Sequence, residues 1–387
     1  MRLVLAQITL FAAMSGARMA FPLLLLRNGT SAVVSSIVVA SFAIAAALIL
    51  MRVAPLIERF GMIRATGACC AMMLAGFGLG IALPDFAGLA VAGILIGAGT
   101  NIAAVALQRY AGAGVTNINE LRRVFAWMSI GPAASAFFGP FLAGLMIDHA
   151  GQTAGDLPGF RAGFTLLAVF TALGWWSVRK LPPVTTTPSA SSQGSGLIAM
   201  FRTTHVGPLL FINTCVSTCW EMHNVVLPIL GTARDYSAST IGAIMGALAL
   251  AAAGVRLVTP RLLKHVPEHR VMRGSIVLSL IALALYPLAP NAWLLGVAAI
   301  TLGMTLGIIQ PILMTALYQS VPDGRQSAVL GARLTCVNGA SVITPLVAGS
   351  LSTVLGPAPV FFVASALLAT NFGPLKKLRH RRGVSAP

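Results

Sequence analysis

The chain has 387 residues, of which 57% are hydrophobic and only 9% are charged, whereas an ordinary soluble domain carries roughly 25% charged residues. Together with a mean hydropathy of +0.87, this composition excludes a soluble globular protein. The formal net charge of +17 does not indicate nucleic-acid binding, because the Lys and Arg residues cluster between apolar runs and near the carboxyl end.

Apolar runs of about 20 residues recur along the whole chain, and this is the length that an α-helix needs to cross a bilayer. We therefore predict an all-α integral membrane protein with about twelve transmembrane helices. The predicted spans are residues 4–26, 31–51, 64–83, 86–108, 122–147, 160–178, 206–230, 237–257, 271–288, 291–318, 327–352 and 357–374.

The connection after the sixth span contains LPPVTTTPSASSQGSG, a composition that cannot bury a core. It divides the chain into an N-terminal six-helix bundle (1–178), a cytoplasmic linker (179–204) and a C-terminal six-helix bundle with a basic tail (205–387). Assigning the loops alternately to two sides places 21 of the 26 Lys and Arg residues on the side of both termini. The positive-inside rule then predicts a multi-pass protein of the cytoplasmic membrane with both termini in the cytoplasm.

The two halves repeat with a nearly constant offset. Pro22 and Pro228 are 206 positions apart, Arg52 and Arg256 are 204 apart, and the similar segments GPFLAG and TPLVAG begin 205 apart. Because six spans precede the second copy, the halves have the same orientation in the membrane and form parallel repeats. The expected architecture is two six-helix bundles joined by one linker.

The loop after the second span reads APLIERFGMIR, with Glu58, Arg59, Gly61 and Arg64 at its core. It resembles the GxLxDRxGRR loop of the major facilitator superfamily, and the arrangement of the whole chain is similar to the twelve-helix members of that family. The resemblance implies that this loop is a cytoplasmic gate. Physically, a carboxylate at Glu58 can face the positive end of a neighbouring helix and act as a latch, or it can form a solvated loop pair.

The fifth span contains Gly139, Pro140 and Gly144 and resembles the motif of drug/proton antiporters in that family, which favours export over import. Small residues also let helices approach closely, so plain helix packing explains the same pattern. In the fourth span, Gly93 stands where the family usually has an Arg.

Ionisable residues well inside a span are costly, at roughly 2.5 to 3.5 kcal/mol each, and are therefore functional candidates. Arg18 in the first span and Glu221 in the seventh lie at about the same depth, counted at about 1.5 Å per residue. We expect them to face each other across the bundles as an outer gate or a proton-coupling pair. A static ion pair, or side chains that extend to the membrane surface, is the alternative.

Several further residues are candidates for a substrate cavity at the centre of the protein. Arg333 is suited to a substrate anion or to helix-end carbonyl groups, while His223, which points to another face than Glu221, is suited to packing. The cavity candidates are Asn101, Asn213, Trp220, Asn224, Gln310 and Arg333.

The sequence contains no nucleotide-binding loop and no metal-binding or paired-acid motif. The prediction is therefore not an enzyme but a secondary transporter of a small organic molecule, without cofactor or metal, with protons as coupling ion and a monomer as sufficient unit. Proton-coupled efflux is the leading hypothesis. Uptake or facilitated movement of an organic anion, and a non-transporting membrane receptor or scaffold, are the alternatives.

Overall fold

The computed structural model describes residues 2–44, 61–113, 118–153, 155–181, 206–321 and 326–373. These residues form twelve α-helices and contain no strand, so the predicted all-α fold is confirmed. The helices are α1 (Arg2–Arg27), α2 (described over Ala32–Ile44), α3 (Met62–Ala82), α4 (Phe86–Ala113), α5 (Ile118–His149), α6 (Leu157–Val178), α7 (Val206–Ala233), α8 (Ala238–His265), α9 (Glu268–Leu288), α10 (Ala292–Gln319), α11 (Gln326–Leu355) and α12 (Pro357–Ala369).

Eight of the helices in the described part of the chain are long and apolar enough to cross a membrane. The 28-residue α7 is not among them, because Asn213, Glu221, His223 and Asn224 lower its hydropathy. These four polar residues nevertheless lie in a helix whose other side chains are mostly buried. Polar side chains inside a membrane-spanning helix are functional candidates, so α7 is a helix to search for function.

Aromatic side chains fix the interior of each bundle. In the N-terminal bundle the ring of Phe21 lies 5.8 Å from Phe42, 6.5 Å from Phe77 and 4.9 Å from Phe164, which joins α1 to α2, α3 and α6. Edge-on contacts of this kind add to the energy of apolar burial. Outside the bundles, Trp176 and Trp293 are 61% and 86% exposed, as expected for rings at the membrane surface.

Local signals set most helix ends. The side chains of Asp156, Ser237 and Asn291 accept hydrogen bonds from the backbone N–H groups three residues on and so begin α6, α8 and α10. The largest difference from the predicted spans is in α8, which continues to His265 rather than stopping near residue 257. A helix does not end where the hydrocarbon ends, because its polar last turns are stable in water or among headgroups.

The ends of the helices define two sides of the molecule. The linker side is the end of the molecule where α6 ends and α7 begins, and the far side is the opposite end. On the far side, Arg234 at the end of α7 donates to the carbonyl oxygens of Ala289 (2.7 Å) and Pro287 (3.0 Å), beside the end of α9. Between the bundles, α5 packs on α8 and α1 packs on α7.

Candidate functional site

A cavity of about 160 Å³ lies between the two bundles near the middle of the membrane-spanning part. Both bundles contribute to its wall, with α1, α2 and α5 on one side and α7 and α8 on the other. The lining residues include Phe11, Met14, Ser15, Arg18, Ser135, Trp220, Asn224 and Met245. Three of the residues proposed from the sequence, Arg18, Trp220 and Asn224, therefore lie at this cavity. Its wall is mostly apolar and carries one cationic side chain.

Arg18 and Glu221 meet across the interface between the bundles. Nη2 of Arg18 on α1 donates to Oε2 of Glu221 on α7 over 2.6 Å, and the two side chains are 18% and 9% exposed. The pair is therefore a salt bridge between two largely enclosed side chains. Because the two helices belong to different bundles, any rocking of one bundle against the other changes this contact.

The carboxylate of Glu221 is held from both sides. Its second oxygen, Oε1, accepts a hydrogen bond of 2.9 Å from the hydroxyl of Ser341 on α11. Arg18 is less completely satisfied, since its Nε is buried without a partner. A charged pair with an unsatisfied donor is costly to keep in an apolar interior, so the arrangement is not optimised for stability alone.

Two residues of the fifth-span motif, Gly144 and Pro140, form a close backbone contact between the bundles. A Cβ atom at Gly144 on α5 would lie 2.5 Å from the carbonyl oxygen of Ala238 on α8, and one at Gly242 on α8 would meet the carbonyl oxygen of Pro140. Gly139 packs instead on Ala12 of α1. Glycine is required at these positions, because any side chain would push the backbones apart.

An acidic residue closes the same interface on the far side. The carboxylate of Asp148, near the end of α5, accepts hydrogen bonds from the backbone N–H groups of Ala238 (3.0 Å) and Ser239 (2.7 Å) in the first turn of α8. The amino end of a helix carries a partial positive charge, so a carboxylate placed there is stabilised. Asp148 thus joins the N-terminal bundle to the C-terminal bundle at the far side.

Arg333, Asn213 and Gln310 lie together, away from the lining of the cavity. Nε of Arg333 donates to Oδ1 of Asn213 over 3.1 Å, and Nη2 donates to Oε1 of Gln310 over 2.8 Å. The three residues come from α11, α7 and α10, so the group lies inside the C-terminal bundle. Arg256 on α8 is near enough for its charge to act on Arg333.

Two other candidate residues, Asn101 and His223, are hydrogen-bonded within their own bundles. Asn101 donates to the carbonyl oxygen of Gly97 in its own helix over 2.8 Å. His223 is fully buried, with Nδ1 2.7 Å from the hydroxyl of Tyr286 on α9, and so faces the interior of the C-terminal bundle. Among the described residues, no group of three or more His, Cys, Asp or Glu side chains is arranged to hold a metal ion.

The loop that the sequence predicts to be a cytoplasmic gate lies only partly within the described residues. Glu58 and Arg59 lie outside the described residues. Gly61 precedes α3 with φ of 74°, a conformation in which glycine is favoured, and Arg64 in the first turn of α3 is exposed. The proposed latch between Glu58 and a neighbouring helix is therefore still a prediction.

Asp148, Ser341 and Gly242 were not identified from the sequence. Gly242 and Gly246 form a GxxxG pair on α8, a signal of close helix packing that the sequence does contain. For Asp148 the only signal is an acidic residue at a span end, which is common at membrane surfaces. Ser341 has no signal, since a serine in a membrane helix usually bonds to its own backbone.

Comparisons with known proteins agree with this architecture. A family model described as Major Facilitator Superfamily matches residues 3–345 and again 209–382. No curated protein gives a significant sequence match. Among solved structures, the chain is similar to the nucleoside transporter NupG, with 13% identity, a TM-score of 0.76, and 97% of this chain and 98% of that chain covered.

Two other structures are similar over comparable lengths. A POT family transporter in complex with a thioalcohol-conjugated peptide has 14% identity and a TM-score of 0.74, with 99% of this chain and 96% of that chain covered. The human organic anion transporter MFSD10 has 14% identity and a TM-score of 0.63, with 97% and 99% covered. At these identities the likeness shows the shared fold. With the family model matched over most of its length, the chain belongs to the Major Facilitator Superfamily.

Proposed function

We propose that this protein is a secondary active transporter that exports a small organic molecule across the cytoplasmic membrane in exchange for protons. The observation that carries the proposal is the Arg18–Glu221 pair, because it is a titratable contact between the two bundles beside the central cavity. In an alternating-access transporter, a group in this position responds both to protons and to the relative position of the bundles.

The far-side contacts support a state in which the cavity is closed on that side. Asp148 holds the first turn of α8, and Gly144 and Gly242 allow α5 and α8 to touch. Gly349 on α11 also packs on Ser36 of α2. The positive-inside rule assigns the linker side to the cytoplasm, so this state accepts substrate from the cytoplasm.

The coupling step uses a proton on the carboxyl group of Glu221. While the carboxylate is charged, it attracts Arg18 and holds α1 against α7. When a proton binds to a carboxylate oxygen, the Coulombic attraction is lost and only a weaker hydrogen bond remains. A proton taken up from the far side, while the cavity is open there, keeps the pair broken and leaves Arg18 charged and turned towards the cavity. When the protonated protein returns to the state with a closed far side, release of the proton to the cytoplasm restores the pair, so that a proton enters as a substrate leaves.

Export is favoured over uptake by the fifth-span motif, because its Gly144 and Pro140 lie at the α5–α8 contact that closes the far side. The second candidate function is uptake or facilitated movement of an organic anion. The observation that favours it is Arg333, which has amide partners and no carboxylate partner among the described residues.

Proton flux in liposomes tests the coupling. Purified protein is reconstituted with a pH-sensitive dye inside the vesicles, and pooled nucleosides, dipeptides, organic cations and organic anions are added outside. A substrate should drive proton movement through the wild type, and Glu221→Gln should abolish it. Asp235→Asn is the matched control, because it makes the same acid-to-amide change in an exposed turn. Equal proton flux through Glu221→Gln and the wild type would exclude Glu221 from coupling.

A further inference from the structure

A second polar group lies in the C-terminal bundle on the linker side of the central cavity. We call it the Arg333 cluster, and it consists of Arg333, Asn213, Gln310 and Arg256. Counted from the linker-side ends of their helices at about 1.5 Å per residue, all four lie roughly 10 to 14 Å deep. Four helices therefore bring two guanidinium groups and two amides to one level.

The hydrogen bonds in the cluster orient Arg333 without neutralising it. Amide oxygens of Asn213 and Gln310 accept from Nε and Nη2, which fixes the plane of the guanidinium group. No backbone carbonyl and no carboxylate within the described residues accepts from Arg333. The positive charge is held in place, but nothing that the structure describes balances it.

Part of the guanidinium group has no acceptor among the described residues. A guanidinium has five N–H donors, and Arg333 uses two of them. Its Nη1 donates to no described residue and is not among the buried atoms that lack a partner, in contrast to Nε of Arg18. The half-buried Arg333 thus keeps donors that no described group accepts.

Two more features make this an incomplete site. Asn213 is fully buried, and its Nδ2 is a donor without a partner. Arg256, whose side chain is exposed at this level of α8, adds a second positive charge that repels Arg333. The cluster thus offers donors and positive charge, and the complementary group is an oxyanion, since carboxylate and phosphate match the fork of a guanidinium.

We propose that the Arg333 cluster binds the carboxylate or phosphate group of the transported substrate as it passes between the linker side and the central cavity. This inference rests on the proposed transport function and specifies its substrate class as organic anions. Asn213 and Trp220 are seven residues apart on α7, or about 10 Å along the helix. A molecule of moderate length can therefore place its anionic group at Arg333 and its apolar part against Trp220 in the cavity.

Binding of simple oxyanions provides the first test. The thermal unfolding midpoint of the purified protein is followed during titration with inorganic phosphate and with acetate, against chloride at equal ionic strength. We expect both oxyanions, and phosphate more strongly, to raise the midpoint by about 2 °C or more through preferential binding to the folded state. Equal midpoints in phosphate, acetate and chloride would overturn the inference.

Variants assign the effect to the cluster. Arg333→Gln should abolish the shift, and Arg256→Gln should weaken phosphate binding about tenfold through loss of a charge-assisted contact. Lys264→Gln is the matched control, because it removes the same charge from an exposed position on α8 and should leave the shift unchanged. Arg333→Met also removes the charge and replaces Arg333→Gln if the latter does not fold. A wild-type shift in Arg333→Gln or in Arg333→Met would overturn the inference.

Proton flux in liposomes separates a substrate site from a lipid or ion site. The compounds that drive flux through the wild type should carry a carboxylate or phosphate, and Arg333→Gln should not respond to them. If phosphate binds but no soluble organic oxyanion drives flux, the cluster holds a lipid headgroup or a resident ion, and the inference is overturned. If anions drive flux that Glu221→Gln does not reduce, the coupling proposal fails while the anion site stands.

Discussion

Replacing Glu221 by Gln is the most direct perturbation of the contact between the bundles. The change keeps the size of the side chain and an oxygen that accepts from Arg18, but it removes the negative charge. Arg18 is then a partly buried cation without a counter-charge, and its Nε is still unsatisfied. We expect the state with a closed far side to lose stability relative to the state in which the bundles have separated there, because separation lets water reach Arg18.

The size of the effect can be estimated from the geometry of the pair. An Nη2–Oε2 distance of 2.6 Å places the charge centres about 4 Å apart, and at an effective dielectric constant of about 20 their attraction is about 4 kcal/mol. Water reaches the partly exposed side chains and screens part of this energy, so we take about 2.5 kcal/mol. Since 1.4 kcal/mol is tenfold in a population ratio, the separated state should gain about 70-fold.

Spin labels on the far side measure this shift as a distance distribution. The labels are placed at Gln152, in the turn before α6, and at Ala233, at the end of α7, both of which are exposed and belong to different bundles. Cys336 is first replaced by Ser, because it is the least buried of the free cysteines among the described residues. In Glu221→Gln, the fraction of molecules with a longer distance between the two labels should increase. The resulting distance distribution should match that of the wild type at acidic pH.

A double-mutant cycle decides whether the effect belongs to the pair. Arg18→Met alone leaves the Glu221 carboxylate without its cation, whereas Arg18→Met combined with Glu221→Gln leaves no unpaired charge. The two changes should therefore be non-additive by at least about 1.5 kcal/mol. Unchanged distances in Glu221→Gln, or additive effects in the double variant, would refute the account of the pair as a proton-sensitive contact.

Three further predictions concern the far side. Asp148→Asn removes the negative charge that interacts with the first turn of α8 and should favour the open far side by about 1 kcal/mol, measured with the same spin labels. Equal label distances in Asp148→Asn and the wild type would contradict a role of Asp148 in closing the far side. Gly242→Val should hold α5 and α8 apart and abolish transport while the protein still elutes as a folded monomer, and full transport would show that this contact is dispensable. Backbone N–H groups of Thr153 and Gly159 lower the pKa of Asp156 below its ordinary value of 3.8, so its carboxylate stabilises the fold above that value and loses this effect as the pH falls through the lowered pKa. Asp156→Ala should therefore reduce the thermal unfolding midpoint more at pH 7 than in strong acid, where the carboxyl group of the wild type is protonated, and an equal reduction under both conditions would contradict the charge-based explanation.

The amino-acid sequence alone establishes that the protein is a bundle of membrane-spanning helices. In hydrocarbon every backbone polar group must be satisfied within the segment, so an apolar run of about 20 residues has to be a helix. Depth along such a helix can be counted at a constant rise per residue. For this reason the equal depth of Arg18 and Glu221 was readable from sequence, as was the pairing expected from it.

Rotation of each helix about its axis depends on tertiary packing. Asn213, Gln310 and Arg333 were expected at the central cavity, and the structure instead places them together within the C-terminal bundle. Their sequence positions fix a depth but not a direction, because several faces of α7 carry polar residues. Which face meets α10 and which meets α11 depends on side chains in all three helices.

Contacts between distant helix ends were likewise invisible in the sequence. Asp148 and Ala238 are 90 residues apart, and the bond between them exists because Gly144 and Gly242 let α5 and α8 touch. Composition and periodicity describe one helix at a time, whereas this contact requires two backbones at van der Waals distance. The helices, their order and the depth of their charges are thus encoded locally, whereas which charges meet is settled in three dimensions, because that depends on how all the helices pack together.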